Sequence, residues 1–166
     1  MSIVNDNFNN FIKINLISIH KKMKKILQLS AILMFCITFA ASAQIEGTWE
    51  TTDDETKEKK SHVKIYKTQS GKYAGQVVKI LREAKKNAVC KNCPGDRNGK
   101  PVQDLIVLIG LQTDGKEWSG GKILDPEKGK EYKCKAWMGA DNNTLNIRGF
   151  IGVSLMGRNQ TWKRVL

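Results

Sequence analysis

The chain has 166 residues, with 28 Lys or Arg against 16 Asp or Glu, for a formal net charge of +12 at pH 7. Its length sets about one domain, and with 40% hydrophobic residues that domain can bury a core. Two histidines and four cysteines leave little material for His-based nucleophilic catalysis or for a multi-ligand metal site.

Residues 1–22 are rich in Asn and Ile and fit no targeting class, so we read Met23 as the true initiator. From Met23 to Ala43 the sequence is MKKILQLSAILMFCITFAASA. Lys24 and Lys25 form a charged start, Ile26 to Ala40 an apolar run, and Ala41-Ser42-Ala43 a small-residue cleavage site. This pattern predicts a secretory signal peptide, as a helix, cut between Ala43 and Gln44. Phe35 is too bulky to make Cys36 a lipidation site. The expectation is a periplasmic or secreted bacterial protein with no transmembrane segment after cleavage, its cysteines in an oxidising compartment.

Residues 44–166 hold 23 Lys/Arg and 15 Asp/Glu, a net of 23 − 15 = +8. The cations are mostly Lys, spaced singly as in VKIYK and YKCKAW, which describes a solvated strand face. An anionic envelope component is a candidate partner on this charge. Nucleic acid is not expected, because no basic run is interleaved with aromatics.

Short alternating runs separated by Gly, Asp, Asn and Lys clusters then predict strands in order. These are Gly47–Thr51, His62–Thr68, Lys72–Leu81, Val102–Leu111, Trp118–Leu124, Lys130–Met138, Thr144–Ile151 and Gln160–Val165. Gly71, Gly115 and Gly129 sit in the turns, as does Asp141-Asn142-Asn143. In the sixth run Tyr132, Cys134, Ala136 and Met138 share one side and Lys133 and Lys135 the other. In the seventh, Leu145, Ile147, Gly149 and Ile151 share a side. One apolar face on each of about eight strands, with no long helix, predicts an all-β fold. This pattern leaves closure as a barrel or as a two-sheet sandwich open; the form expected over residues 44–166 is a single antiparallel up-and-down barrel, with 82–100 as its one long loop.

Gly47-Thr48-Trp49 opens the first strand and Thr161-Trp162-Lys163-Arg164 closes the last. Paired first and last strands would let a cation cover an aromatic face, so Trp49, Trp162 and Arg164 are the expected closure. This opening and close resemble the lipocalin-like (calycin) barrels. Four further segments follow in order: Trp118-Ser119-Gly120-Gly121-Lys122-Ile123-Leu124-Asp125-Pro126, Gly129-Lys130-Glu131-Tyr132, Asn146 to Gly152 (NIRGFIG) and Gly157 to Val165 (GRNQTWKRV). With Gly47-Thr48-Trp49 they resemble the bacterial exported family known as domain of unknown function 2147. The resemblance covers essentially all of 44–166 and implies a small lipocalin-like barrel of unassigned activity. It departs at Asp104, where a small residue, usually Gly, is expected before the apolar strand.

Cys36 would leave with the signal peptide, so Cys90, Cys93 and Cys134 remain. Three pairings are open. Closing the four-residue loop Cys90–Cys93 is worth roughly 2 kcal/mol, and closing about 45 residues to Cys134 roughly 4. We therefore expect a disulfide clamping the long loop to the sixth strand. The alternatives are a Cys-x-x-Cys redox pair, for which no helix is in view, or zinc held by the three cysteines and His62. No cofactor motif is present: Gly95 to Lys100 has the wrong spacing for a phosphate loop. No residue is assigned a catalytic role, and Asp53-Asp54 reads as a polar turn. A hydrolase is the third reading.

The function expected is non-catalytic binding of a small apolar or amphipathic ligand, or of an envelope partner. An eight-stranded barrel is filled by side chains or holds one small ligand. The expected ligand-binding residues are Trp118, Tyr132, Trp137, Arg148 and Arg158. The side shared with Lys133 and Lys135 counts against Trp137 as a lining residue.

Overall fold

The computed structural model describes Lys24 and residues 44–165. The expected signal-peptide helix, Lys24 apart, therefore lies outside the described residues.

Eight strands close into one antiparallel barrel in simple chain order. They are β1 (Gly47–Thr52), β2 (Lys59–Lys67), β3 (Tyr73–Ile80), β4 (Ile106–Thr113), β5 (Trp118–Asp125), β6 (Lys130–Met138), β7 (Thr144–Phe150) and β8 (Gly157–Arg164). The seam is the β1–β8 pair, in which Trp49 faces Arg164 and Glu50 faces Lys163. Alternation decides what points inward. Val63 and Ile65 on β2, Cys134 and Ala136 on β6 and Leu145 and Ile147 on β7 are buried, while Lys64, between the first two, and Lys133, next to Cys134, are exposed. Trp49, Trp118 and Trp162 join these residues and Leu108, Leu111 and Leu124 in a single apolar cluster that fills the interior. Among the described residues, every strand and every core residue falls within 45–164, which hold the closed barrel.

Of the boundaries that differ from the sequence expectation, three have a clear local cause. Val102 to Leu105 is not the start of β4: Asp104 takes a left-handed backbone, φ 66°, and donates its N–H to Val77 O at 2.8 Å. That φ is the reason a glycine is expected there, and Asp is one of the few side chains that tolerate it. Ile151 leaves the inward row, because β7 ends at Phe150 and Ile151 stands exposed in the following loop. β8 begins three residues early, since Gly157, Arg158 and Asn159 pair with Phe150, Gly149 and Arg148.

Up-and-down order places the β1–β2, β3–β4, β5–β6 and β7–β8 connections at one end and the termini at the other. The terminal end is shut by Trp49 beneath Arg164. At the opposite end the β3–β4 loop builds its own small hairpin: Cys90 N–H donates to Lys100 O at 2.8 Å, Val102 N–H reaches Ala88 O, and Val89 bridges Pro101. Charged residues tie this end together. Arg82 lies 3.0 Å from Asp53 and 3.6 Å from Glu127, Lys60 lies 2.8 Å from Glu127, and Arg97 lies 2.5 Å from Glu131.

Candidate functional site

The outward faces of β6, β7 and β8 carry a groove assembled by strand register. Lys135 on β6 lies opposite Arg148 on β7, and Arg148 lies opposite Asn159 on β8. Trp137, two residues beyond Lys135, shares its outward side, and the Lys135 ammonium sits 5.8 Å from the Trp137 ring centre. Glu117 holds the same ammonium at 3.0 Å.

Arg148 shapes the rest. Its Nε donates to Ser154 O at 2.7 Å, one terminal nitrogen to Leu155 O at 3.0 Å and the other to Asn159 Oδ1 at 2.7 Å. These bonds draw the β7–β8 loop, residues 151–156, back against the barrel wall. A groove of about 310 Å³ results, lined by Lys135, Trp137, Arg148, Ser154, Leu155 and Asn159. Its chemistry is a cationic edge beside an indole and a Leu side chain. No carboxylate lies within ion-pair distance of Arg148 among the described residues, so carbonyl and amide oxygens alone hold its charge.

The five expected ligand-binding residues fall in three places. Trp118 is buried in the interior, edge-on to Tyr73 with ring centres 6.4 Å apart, and its Nε1 has no hydrogen-bond partner. Tyr132 lines the interior beside Gly149. Arg158 is at the loop-rich end, paired with Asp54, which also accepts from Gln160 Nε2 at 3.0 Å. Only Trp137 and Arg148 come together. The position that counted against Trp137, on the lysine side of β6, is what brings it to Arg148. Lys135, Leu155 and Asn159 were missed: each is ordinary in sequence and gains its meaning from register.

The cysteines correct the expected clamp. Cys90 is bonded to Cys93, with Cα atoms 5.7 Å apart, and Cys134 is free and buried. The loop's own hairpin brings Cys90 and Cys93 within disulfide reach, whereas Cys134 points into the barrel from β6. Loop entropy alone favoured the longer bridge and ignored this local geometry. Burial, and to a lesser degree Glu131, push the Cys134 thiol up to about 12, so it stays protonated and inert near neutral pH. His62 stands on the outer face 3.6 Å from Glu50, away from the zinc set the sequence suggested. Among the described residues, no group of three or more His, Cys, Asp or Glu is arranged to hold a metal ion.

Asp53 and Asp54 form a structural turn. The backbone N–H groups of Thr56 and Glu55, and then Arg82, hold the Asp53 carboxyl well below the usual range. Glu131 is lowered likewise by Arg97 and Lys122.

A closed eight-stranded antiparallel barrel, plugged at one end by a Trp–Arg stack, defines a lipocalin-like β-barrel protein. The chain belongs to the bacterial family DUF2147, described as an uncharacterized protein conserved in bacteria, whose profile matches residues 47–164. Among solved structures it is similar to protein HP1028 of the human pathogen Helicobacter pylori, described as belonging to the lipocalin family. That likeness has a TM-score of 0.63 at 20% identity and covers 74% of this chain and 84% of the other, which shows the fold alone. No curated protein sequence matches the chain.

Proposed function

We propose that this chain is an exported, non-catalytic binding protein of the bacterial envelope that holds an anionic amphiphile on the outside of its barrel. One observation carries the reading: Lys135, Arg148 and Trp137 converge on a 310 Å³ groove while side chains occupy the interior. The groove is shallow and open, so it would hold a ligand along one side only, between an apolar wall and a few fixed polar groups. A phosphate or carboxylate head would meet Lys135 and Arg148, and a short alkyl chain would lie along Trp137 and Leu155. Facing cations on adjacent strands repel each other, and a bound anion would relieve that repulsion.

Export rests on the sequence of residues 23–43, which has the order of parts a signal peptide needs. The family's conservation in bacteria and the Cys90–Cys93 disulfide agree with a periplasmic or extracellular compartment. No helix among the described residues is long and apolar enough to cross a membrane.

The test is titration of residues 44–166 with decyl phosphate below its micelle concentration, followed by calorimetry. Binding should weaken by about tenfold in Trp137→Ala and in Lys135→Gln, and Tyr132→Phe should leave it unchanged. Equal affinity in all three variants and the parent would reject the groove.

A further inference from the structure

The segment Phe150 to Met156, FIGVSLM, is rich in apolar residues and yet largely exposed. Ile151 is 65% exposed, Val153 61%, Leu155 91% and Met156 75%. Singly exposed apolar residues are ordinary, whereas four on one hairpin tip form a patch. The tip is not loose chain. Arg148 fixes it through Ser154 O and Leu155 O, and Met156 N–H closes on Val153 O at 3.2 Å. The structure thus spends a half-buried arginine on presenting apolar side chains to solvent.

Behind the tip stand cations in an arrangement that fold stability alone disfavours. Lys133 is the register partner of Phe150, at the base of the hairpin. It also faces Lys122 across β5–β6, and one row further back Lys135 faces Arg148 across β6–β7. Like charges directly opposite on one sheet face are destabilising, and here two such pairs sit in adjacent rows. Glu131 and Glu117 compensate Lys122 and Lys135, but Lys133 and Arg148 have no carboxylate partner among the described residues. Trp137 lies on the same face, one row beyond Arg148.

We propose that the β7–β8 tip is a membrane-docking element, which inserts Ile151, Val153, Leu155 and Met156 into the interfacial layer of an anionic lipid bilayer while Lys133 and its neighbours meet the headgroups. An apolar tip with a cationic collar is the arrangement such a surface favours. Charge complementarity selects the occupant: a purely apolar partner would leave Lys133 and Arg148 uncompensated. The inference rests on the reading that this face meets anionic amphiphiles, and extends it from one molecule in a groove to a lipid surface.

The test is co-sedimentation of residues 44–166 with vesicles of phosphatidylcholine alone and of phosphatidylcholine with phosphatidylglycerol. Binding should be confined to the anionic vesicles and fall as salt is raised. The double variant Val153→Ser, Met156→Ser changes two tip residues that do not line the groove. It should lower partitioning by about tenfold or more and leave decyl phosphate affinity intact. Lys133→Gln should lower it about fivefold, on anionic vesicles only. Partitioning unchanged by the double variant overturns the proposal. So does a dimer in solution that the double variant dissociates, because a second copy would then cover the tip. Loss of decyl phosphate binding with vesicle binding retained would reject the groove and leave the docking element standing.

Discussion

The Arg164 guanidinium lies over the Trp49 indole, its central carbon 4.2 Å from the ring centre, on strands that are register partners across the barrel seam. The same guanidinium donates to Gln44 O at 2.7 Å, to Glu46 O at 3.0 Å and to Asn142 O at 3.3 Å. One side chain therefore fastens the N-terminal segment, the β6–β7 turn and the last strand over a tryptophan that is 0% exposed. Trp49 Nε1 completes the plug by donating to Ile45 O at 2.9 Å.

Arg164→Ala removes the stack and three donors together and should cost about 2–4 kcal/mol in urea unfolding. Arg164→Lys should recover less than half of that, because an ammonium cannot keep a planar stack while serving three divergent carbonyls. Full recovery by Lys would mean that charge alone closes the seam.

The thiols should report the disulfide directly. Native residues 44–166 should show no reactive thiol, the unfolded non-reduced chain one, and the unfolded reduced chain three. Cys134 is the single free thiol, and burial raises its pKa to about 12. Loss of the disulfide through Cys90→Ala, Cys93→Ala should cost roughly 2 kcal/mol, as expected for a four-residue loop. A native chain with one readily alkylated thiol would contradict this pairing.

Acid should destabilise the barrel. Asp53, Glu127 and Glu131 have folded pKa values lowered from ordinary values of 3.8 for Asp and 4.5 for Glu. The unfolded chain then binds more protons, so stability rises with pH through this range. The carboxylates' contribution is fully present above about pH 5 and drains away as pH falls through 4 and below. Urea midpoints measured from pH 7 down to pH 3 should be flat and then fall. Asp53→Asn should lower the plateau and flatten the fall.

Asp104 offers a milder test. Its left-handed backbone at φ 66° predicts that Asp104→Gly is neutral or stabilising by up to about 1 kcal/mol, while Asp104→Val costs about 1–2 kcal/mol or more. Thermal melting of the two variants ranks them, and the reverse order would mean that the Asp side chain is needed where it stands.

How much of this was legible in the sequence follows from physical range. The alternation of Tyr132, Cys134, Ala136 and Met138 gave β6 its limits to the residue, because period-two burial is local. The polar starts of β2 at Lys59 and of β8 at Gly157 were lost because pairing with β1 and β7 holds them and hydrophobicity does not. The groove was only half visible. Trp137 and Arg148 stood out as residue types, but nothing local says that Lys135 faces Arg148, or that Arg148 folds the next loop back onto Leu155. Register and a tertiary hydrogen bond make the site, and both lie beyond short-range pattern.

The most direct measurement is a set of amide and indole chemical shifts of isotope-labelled residues 44–166, recorded as decyl phosphate is added. The account predicts shifts concentrated at Lys135, Trp137, Arg148 and residues 154–159, with the indole signals of Trp49, Trp118 and Trp162 unmoved. Shifts centred instead on Trp118, Tyr132 and Ile147 would place the ligand inside the barrel and contradict a filled interior with recognition on its outer wall.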